Sequence, residues 1–187
     1  MGGGDLHDLI YKSNNYLSTS LVRQYMAELV YGLNELHKLG VVHRDLKPAN
    51  IFLDSKGRAI IGDFGLSRFF SHYAEHVQVP AFGNERPDNV TYKLCGTPGY
   101  IAPEVYTYNG YSFAADVFSL GSIMYEMLYR RHAFDGETLE ELTDNVLYSQ
   151  PDIQSENPVD PITVDFLSAV SFSIVTRTTK KLIMRSD

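Results

Sequence analysis

Three clusters in the sequence carry side chains that could bind phosphate groups and metal ions. The first runs from His43 to Asn50 and reads HRDLKPAN, the second is Asp63-Phe64-Gly65, and the third runs from Gly96 to Glu104 and reads GTPGYIAPE. Magnesium and calcium bind oxygen ligands, which the Asn50 amide and the Asp63 carboxylate can supply. Each cluster alone could occur by chance, but three of them in this order form a specific pattern.

The segments around these clusters are predicted to be mostly helical. Apolar residues recur every three or four positions over residues 20–39, which predicts an amphipathic helix with an N-cap among Ser18, Thr19 and Ser20 and an end at Gly40. Short apolar runs flank the turn residues 54–57, which predicts a β-hairpin. Further helices are predicted at residues 116–128 (apolar on nearly every face, and so buried), 137–148 and 161–175. The predicted fold is mainly α, within the α+β class, with short β-hairpins.

With a helix before the first cluster and a buried helix after the third, the pattern resembles the protein-kinase catalytic domain. The resemblance extends from about Gly3 to about Leu167 and corresponds to the hinge and the C-terminal lobe. It makes residues 63–104 the activation segment and leaves residues 171–187 as an atypical tail. A lysine followed by proline at Lys47 resembles the serine/threonine-specific branch. The implied reaction is transfer of the γ-phosphate of ATP, with Mg²⁺, to a serine or threonine hydroxyl of a protein substrate.

The resemblance assigns a role to each residue of the catalytic centre. Phosphoryl transfer depends mainly on positioning and on neutralising phosphate charge. Asp45 would lie beside the attacking hydroxyl, Lys47 would reach the transferred phosphate, and Thr97 would tie the activation segment to the catalytic loop. Two metal ligands are implied, Asn50 and Asp63. The residues expected to bind the nucleotide and its metal are Asp5, Lys47, Asn50 and Asp63.

The same resemblance predicts how a peptide substrate would be held. An apolar pocket for the residue after the phosphoacceptor would consist of Leu94, Pro98 and Ile101. Glu126 would be an acidic substrate contact, whereas Ala49 replaces a glutamate used by members that select basic substrates. Two subfamilies remain open, because the CGTPGY sequence is similar to the calmodulin-dependent kinases, while NIFL and HAF are similar to the never-in-mitosis-related kinases.

Regulation and structural support are also implied for the activation segment, with Asp63, Phe64 and Gly65 at its start and Pro103 and Glu104 at its end. Lys93 occupies the position where many kinases carry a phosphorylatable threonine, so a phosphate on Thr91 or Tyr92 would meet Arg44 instead. The alternative is a segment that is ordered without phosphorylation. Glu104 is expected to form a buried ion pair with Arg177.

The 187 residues contain neither a glycine-rich loop that follows a strand nor a Val-Ala-Ile-Lys lysine. Gly2, Gly3 and Gly4 are interpreted as a hinge feature rather than a phosphate cradle. This chain alone is therefore expected to bind ATP weakly and to transfer phosphate poorly. A truncated kinase-like scaffold or decoy remains the alternative function.

The amino-acid composition limits which binding partners and which cellular compartment are expected. The chain has 16 basic and 23 acidic side chains, giving a net charge of −7, which disfavours a nucleic-acid partner. No apolar run is long enough for a membrane span. Cys95 is the single cysteine and cannot form an internal disulfide, which is typical of proteins in a reducing compartment. The predicted localisation is therefore intracellular, in the cytoplasm.

Overall fold

The computed structural model describes residues 3–12, 15–70, 90–108, 110–153 and 159–169. Its helices, numbered here in chain order, are α1 Leu6–Lys12, α2 Thr19–Lys38, α3 Pro103–Tyr106, α4 Ala114–Tyr129, α5 Leu139–Tyr148 and α6 at residues 161–169. Its strands are β1 Val41–Val42, β2 Ile51–Leu53, β3 Ala59–Ile61 and β4 Arg68–Phe69. The described residues are thus mainly helical with short antiparallel strands, which confirms the predicted fold class.

Helix α2 begins and ends where the sequence predicts. Ser18 is its N-cap, because the Ser18 hydroxyl accepts a hydrogen bond from the backbone N–H of Leu21 at 3.3 Å. Gly40 follows the last turn with φ of 76°, a left-handed conformation that glycine adopts without the steric cost of a side chain. The apolar face of the helix is buried from Val22 to Leu33.

The four strands form two separate antiparallel pairs. Strands β2 and β3 are the predicted hairpin, and Ile51 pairs with Ile61. Its turn is held by the Asp54 carboxylate, which accepts backbone N–H bonds from Lys56 at 2.8 Å and Arg58 at 2.9 Å. Strand β1 pairs with β4, a strand that the sequence analysis did not predict. The β1–β4 pair closes a loop around the first two motif clusters and brings them to one place.

Two helices, α2 and α4, form the centre of the core. Helix α4 is buried on nearly every face, as predicted, and includes the fully buried side chains of Phe118, Ile123 and Met127. One apolar cluster joins α4 to α1 and α2, and a second joins it to α3 and α5. Among the described residues, no helix is both long enough and apolar enough to cross a membrane.

Several predictions of the sequence analysis fall outside the described ranges. The predicted helix at 161–175 is described as α6 up to residue 169. The tail at 171–187, including Arg177, and the middle of the activation segment at 71–89 lie outside the described residues. Helices α1 and α3 are short, and the sequence analysis did not predict either of them.

The burial of α2 predicts that two leucine-to-alanine substitutions will have very different effects on the free energy of unfolding. Leu29 is 1% exposed in the middle of α2, whereas Leu139 is 63% exposed at the start of α5. Leu29→Ala removes packed methyl groups from the core and should lower the free energy of unfolding by about 2–5 kcal/mol. Leu139→Ala is the matched control and should change it by less than about 0.5 kcal/mol. Urea denaturation measures both values, and equal effects of the two variants would contradict this account of the core.

Candidate active site

The carboxylate of Asp116, near the start of α4, fixes the backbone of the first motif cluster. Asp116 is fully buried, and its two oxygens accept the backbone N–H groups of His43 and Arg44, both at 2.8 Å. The Nε2 atom of His37, in the last turn of α2, donates to the same carboxylate at 2.9 Å. A buried charge is tolerated when hydrogen bonds replace its water. Asp116 therefore joins α2, α4 and the loop that carries Asp45.

His43 links the loop to the second cluster. The fully buried ring donates from Nε2 to the carbonyl of Gly62 at 2.9 Å, and its Nδ1 accepts the N–H of Asp45 at 3.3 Å. These two bonds require a neutral ring with its proton on Nε2. The ring also packs against Phe64, with ring centroids 5.1 Å apart. His43 is thus a packed residue that positions its neighbours.

Arg44 adopts a backbone conformation that is uncommon for a residue with a side chain, with φ of 70°. The hydrogen bond from its N–H to Asp116 supports this conformation. The third cluster packs directly on the same residue, since a Cβ atom at Gly96 would lie 2.8 Å from the Arg44 carbonyl oxygen. Only glycine allows this approach, so Gly96 brings the activation segment against the loop.

Asp45 lies at the centre of a hydrogen-bond network. Thr97 Oγ1 donates to Asp45 Oδ1 at 2.6 Å, and Lys47 Nζ donates to Thr97 Oγ1 at 2.8 Å. Lys47 Nζ also lies 3.2 Å from Asp45 Oδ2. Asn50 Nδ2 donates to the Asp45 carbonyl at 2.8 Å and to Asp45 Oδ2 at 3.1 Å. The structure therefore brings together the four residues that the sequence analysis predicted as catalytic.

The chemistry of Asn50 and Asp63 fits a hard divalent cation. The Asn50 amide nitrogen is committed to Asp45, which leaves the amide oxygen as the group that can bind a metal. The N–H of Gly62 donates to the Asn50 carbonyl at 3.0 Å, so the β2–β3 hairpin brings Asp63 beside Asn50. Asp63 is exposed, and its Oδ1 accepts the N–H of Gly65 at 3.2 Å. Both predicted ligands thus have side-chain oxygens of the kind that such a cation binds, on residues that the hairpin brings close together.

Asp5 lies at the edge of this region. It forms an isolated bridge with Phe52, and its carboxylate accepts the N–H of Asp8 at 2.8 Å, which caps the short helix α1. A Cβ atom at Gly3 would lie 2.5 Å from the Leu53 carbonyl oxygen. The absence of a side chain at Gly3 therefore permits close contact with the end of β2. The interpretation of the glycine run as a hinge feature stays a prediction.

The predicted substrate residues differ in how accessible they are. Leu94 and Pro98 are exposed, whereas Ile101 is buried and packs in the second apolar cluster. Glu126, predicted as an open substrate contact, is fully buried on α4. Its two oxygens accept hydrogen bonds from the hydroxyl groups of Tyr11, at 2.8 Å, and Tyr100. In this structure Glu126 therefore joins α1 to the activation segment instead of facing a peptide.

Three further residues of the activation segment, Thr91, Pro103 and Glu104, lie in its described part. Thr91 is 2% exposed, and its Oγ1 accepts a long hydrogen bond from Arg44 Nη1 at 3.4 Å. Pro103 is buried at the first position of α3. Glu104 follows it, and burial raises the pKa of its carboxyl group. The Oε2 atom of Glu104 has no hydrogen-bond partner among the described residues, and the predicted partner Arg177 lies outside them.

Comparison with known families agrees with this geometry. The sequence profile of the family described as "Protein kinase domain" matches residues 1–184. The chain belongs to the protein kinase family. Three relatives, all from animals, give the same assignment over most of the chain.

Ribosomal protein S6 kinase 2 alpha of Xenopus laevis is 39% identical over 145 residues, which cover 78% of this chain and 18% of the relative. Serine/threonine-protein kinase Sgk1-B of Xenopus laevis is 37% identical over 147 residues, which cover 79% of this chain and 30% of the relative. A cAMP-dependent protein kinase, catalytic subunit-like, of Caenorhabditis briggsae is 34% identical over 145 residues, which cover 78% of this chain and 33% of the relative. The alignments therefore span a third or less of these relatives. None of the three is named as a calmodulin-dependent kinase or a never-in-mitosis-related kinase.

Sequence reasoning missed several residues that support the kinase motifs. His37 was counted only as part of the apolar face of α2, although its ring binds Asp116. Tyr11 and Tyr100 were given no role, although both bind Glu126. These contacts join residues that lie 26 to 115 positions apart, and no local pattern reveals them.

The position of Asp116 predicts a specific defect in Asp116→Asn. An amide has one acceptor oxygen, so its NH₂ group would face an N–H donor of His43, Arg44 or His37 and leave that donor unpaired. We expect the free energy of unfolding to fall by about 1–3 kcal/mol, and the amides of His43 and Arg44 to exchange faster with solvent. The control is Asp144→Asn on the exposed side of α5. Unchanged exchange at both amides in a folded Asp116→Asn protein would contradict the role assigned to Asp116.

Proposed function

We propose that this chain carries the catalytic loop, the metal ligands and the substrate-binding segment of a protein kinase that phosphorylates serine or threonine. The observation that supports this most strongly is the contact between Thr97, Lys47 and Asp45, with Thr97 Oγ1 2.6 Å from Asp45 Oδ1 and 2.8 Å from Lys47 Nζ. These bonds join a segment suited to a peptide to a carboxylate and a lysine suited to phosphoryl transfer. The relatives, which include a serine/threonine-protein kinase, support the same reaction.

Each residue of the network has a proposed task. Asp45 orients the substrate hydroxyl and accepts its proton, because Thr97 and Asn50 hold its carboxylate in a fixed position. Lys47 contributes positive charge beside the transferred phosphate. ATP would supply the phosphoryl group, and a bound Mg²⁺ would supply positive charge beside it. The side-chain oxygens of Asn50 and Asp63 would hold the metal, and Asp5 would contact the nucleotide.

The proposed substrate is a serine or threonine in an extended protein segment. The exposed side chains of Leu94 and Pro98 offer an apolar surface next to Thr97, which would contact the residue after the phosphoacceptor. Glu126 is enclosed by two tyrosines, so a substrate cation would reach it only if one tyrosine moved. We therefore expect the apolar residue after the acceptor to matter more than a basic residue before it.

A single-turnover assay with the chain in excess over a serine peptide and labelled ATP tests the proposal. Asp45→Asn keeps the size of the side chain and removes its charge, and should slow transfer by about 10²–10⁴-fold. Asp144→Asn is the control with the same chemical change on an exposed helix face. Equal rates in wild type and Asp45→Asn would contradict the assigned catalytic residue. A folded chain that binds peptide but transfers no phosphate would favour the scaffold function.

Calorimetry tests the assignment of the nucleotide and metal ligands. Since these 187 residues contain no glycine-rich loop after a strand and no Val-Ala-Ile-Lys lysine, the chain should bind Mg-ATP with an affinity weaker than micromolar. The heat of binding should depend on Mg²⁺ and should disappear in Asp63→Asn, whereas Asp144→Asn should bind as wild type does. Micromolar affinity, or binding that is the same with and without Mg²⁺, would contradict these assignments.

A further inference from the structure

Tyr111 lies outside every motif, yet it contacts the last part of the activation segment at three points. It is 4% exposed and lies between α3 and α4. Its backbone pairs with Thr91 through two hydrogen bonds of 2.8 and 2.9 Å. Its hydroxyl donates to the carbonyl of Lys93 at 2.5 Å and lies 3.5 Å from Cys95 Sγ. Tyr111 thus contacts every second residue of the segment from 91 to 95, through its backbone at Thr91 and through its hydroxyl at Lys93 and Cys95.

The Tyr111 hydroxyl remains a donor at neutral pH. Burial raises the pKa of this phenol above its ordinary value, the hydrogen bond and charge of Cys95 raise it further, and the nearby Arg44 guanidinium lowers it. The phenol therefore stays protonated and can donate to the Lys93 carbonyl.

The segment that Tyr111 holds touches the catalytic loop at two places. At one end, Thr91 Oγ1 accepts from Arg44 Nη1 at 3.4 Å. At the other end, Thr97 Oγ1 donates to Asp45 Oδ1 at 2.6 Å. The Nε atom of Arg44 donates to the Leu66 carbonyl at 2.6 Å, and Nη2 donates to the Ser67 carbonyl at 3.3 Å. Each of the three guanidinium nitrogens thus donates to a neutral oxygen, although the family resemblance would assign this group to a phosphate.

We propose that Tyr111 is a positioning residue that holds residues 91–97 against Arg44 and Asp45 through neutral contacts, so that the segment takes its place without phosphorylation. The consequence for phosphoryl transfer rests on the proposed kinase function. The placement of the segment can be measured without any catalytic turnover, so the two proposals can fail separately.

The Lys93–Leu94 peptide bond is a direct reporter of this placement. The Lys93 side chain is exposed to trypsin, while its carbonyl oxygen is the atom bound by Tyr111. Trypsin can cleave the Lys93–Leu94 peptide bond only when the segment detaches from Tyr111. The cleavage rate therefore follows the population of molecules in which the segment is detached. Tyr111→Phe keeps the ring and the backbone pairing and removes only the hydroxyl. The loss of one such bond should accelerate cleavage at Lys93–Leu94 by about 5-fold.

Tyr125→Phe is the matched control. Tyr125 is 2% exposed, and its hydroxyl donates to the Asp152 carbonyl at 2.8 Å. Tyr125→Phe therefore removes the same hydroxyl group and the same kind of hydrogen bond as Tyr111→Phe, but elsewhere in the fold. The melting temperatures of the two variants should fall to a similar extent. Cleavage at Lys93–Leu94 should accelerate only in Tyr111→Phe. Should Tyr111→Phe fail to fold, Thr91→Val removes the hydroxyl that meets Arg44 and should also accelerate cleavage.

Phosphatase treatment, with the mass of residues 90–97 measured before and after, tests the second half of the proposal. Cleavage of the wild-type chain should be equally slow in both samples. Equal cleavage of wild type and Tyr111→Phe, or a several-fold acceleration of wild-type cleavage after phosphatase treatment, would overturn the proposal. In the transfer assay, Tyr111→Phe should raise the KM for peptide about 5-fold and leave the KM for ATP unchanged. A wild-type chain without transfer activity would count against the kinase function alone, since the cleavage assay needs no turnover.

Discussion

The buried carboxylate of Asp116 is the contact on which the geometry of the catalytic loop depends. It lies on the most buried helix of the fold and accepts N–H groups from His37, His43 and Arg44. A carboxylate removed from water is costly unless several donors surround it, so the three partners stabilise the packing of α4 when they are correctly placed. The stability of the core and the placement of the loop are therefore coupled. The loop then carries Asp45 and Asn50 to the position where Thr97 meets them.

A second buried carboxylate links the core to the activation segment. Glu126 lies on the same helix and accepts the hydroxyl groups of Tyr11 and Tyr100. The two tyrosines come from α1 and from the third motif cluster, so α4 holds both sides of the catalytic region. Tyr111 adds a third tie with a phenol hydroxyl and two backbone bonds. The described part of the activation segment is thus attached through several separate hydrogen bonds, two of which end on a carboxylate.

Much of the fold could be predicted from local pattern. The period of α2, its Ser18 cap and Gly40 end, the β2–β3 hairpin and the uniform burial of α4 all follow from residues close together in the chain. Strand β4 could not be predicted, because a two-residue strand has no period of its own and exists only through pairing with β1. Three of the four predicted catalytic residues are close in the chain, whereas Thr97 reaches them because Gly96 allows its segment to approach the Arg44 carbonyl. Glu126 and His37 show the limit of the method, since whether a polar side chain faces solvent or a buried partner depends on distant residues.

The central claim is that the Asp116 carboxylate accepts hydrogen bonds from the backbone of the catalytic loop. Scalar coupling across a hydrogen bond, measured by NMR between the amide nitrogens of His43 and Arg44 and the Asp116 side-chain carboxyl carbon, tests it directly. The account predicts a detectable coupling for both amides, because each N–H lies 2.8 Å from a different oxygen of that carboxylate. The absence of both couplings, with these amides exchanging as fast as those of an unstructured peptide, would contradict it.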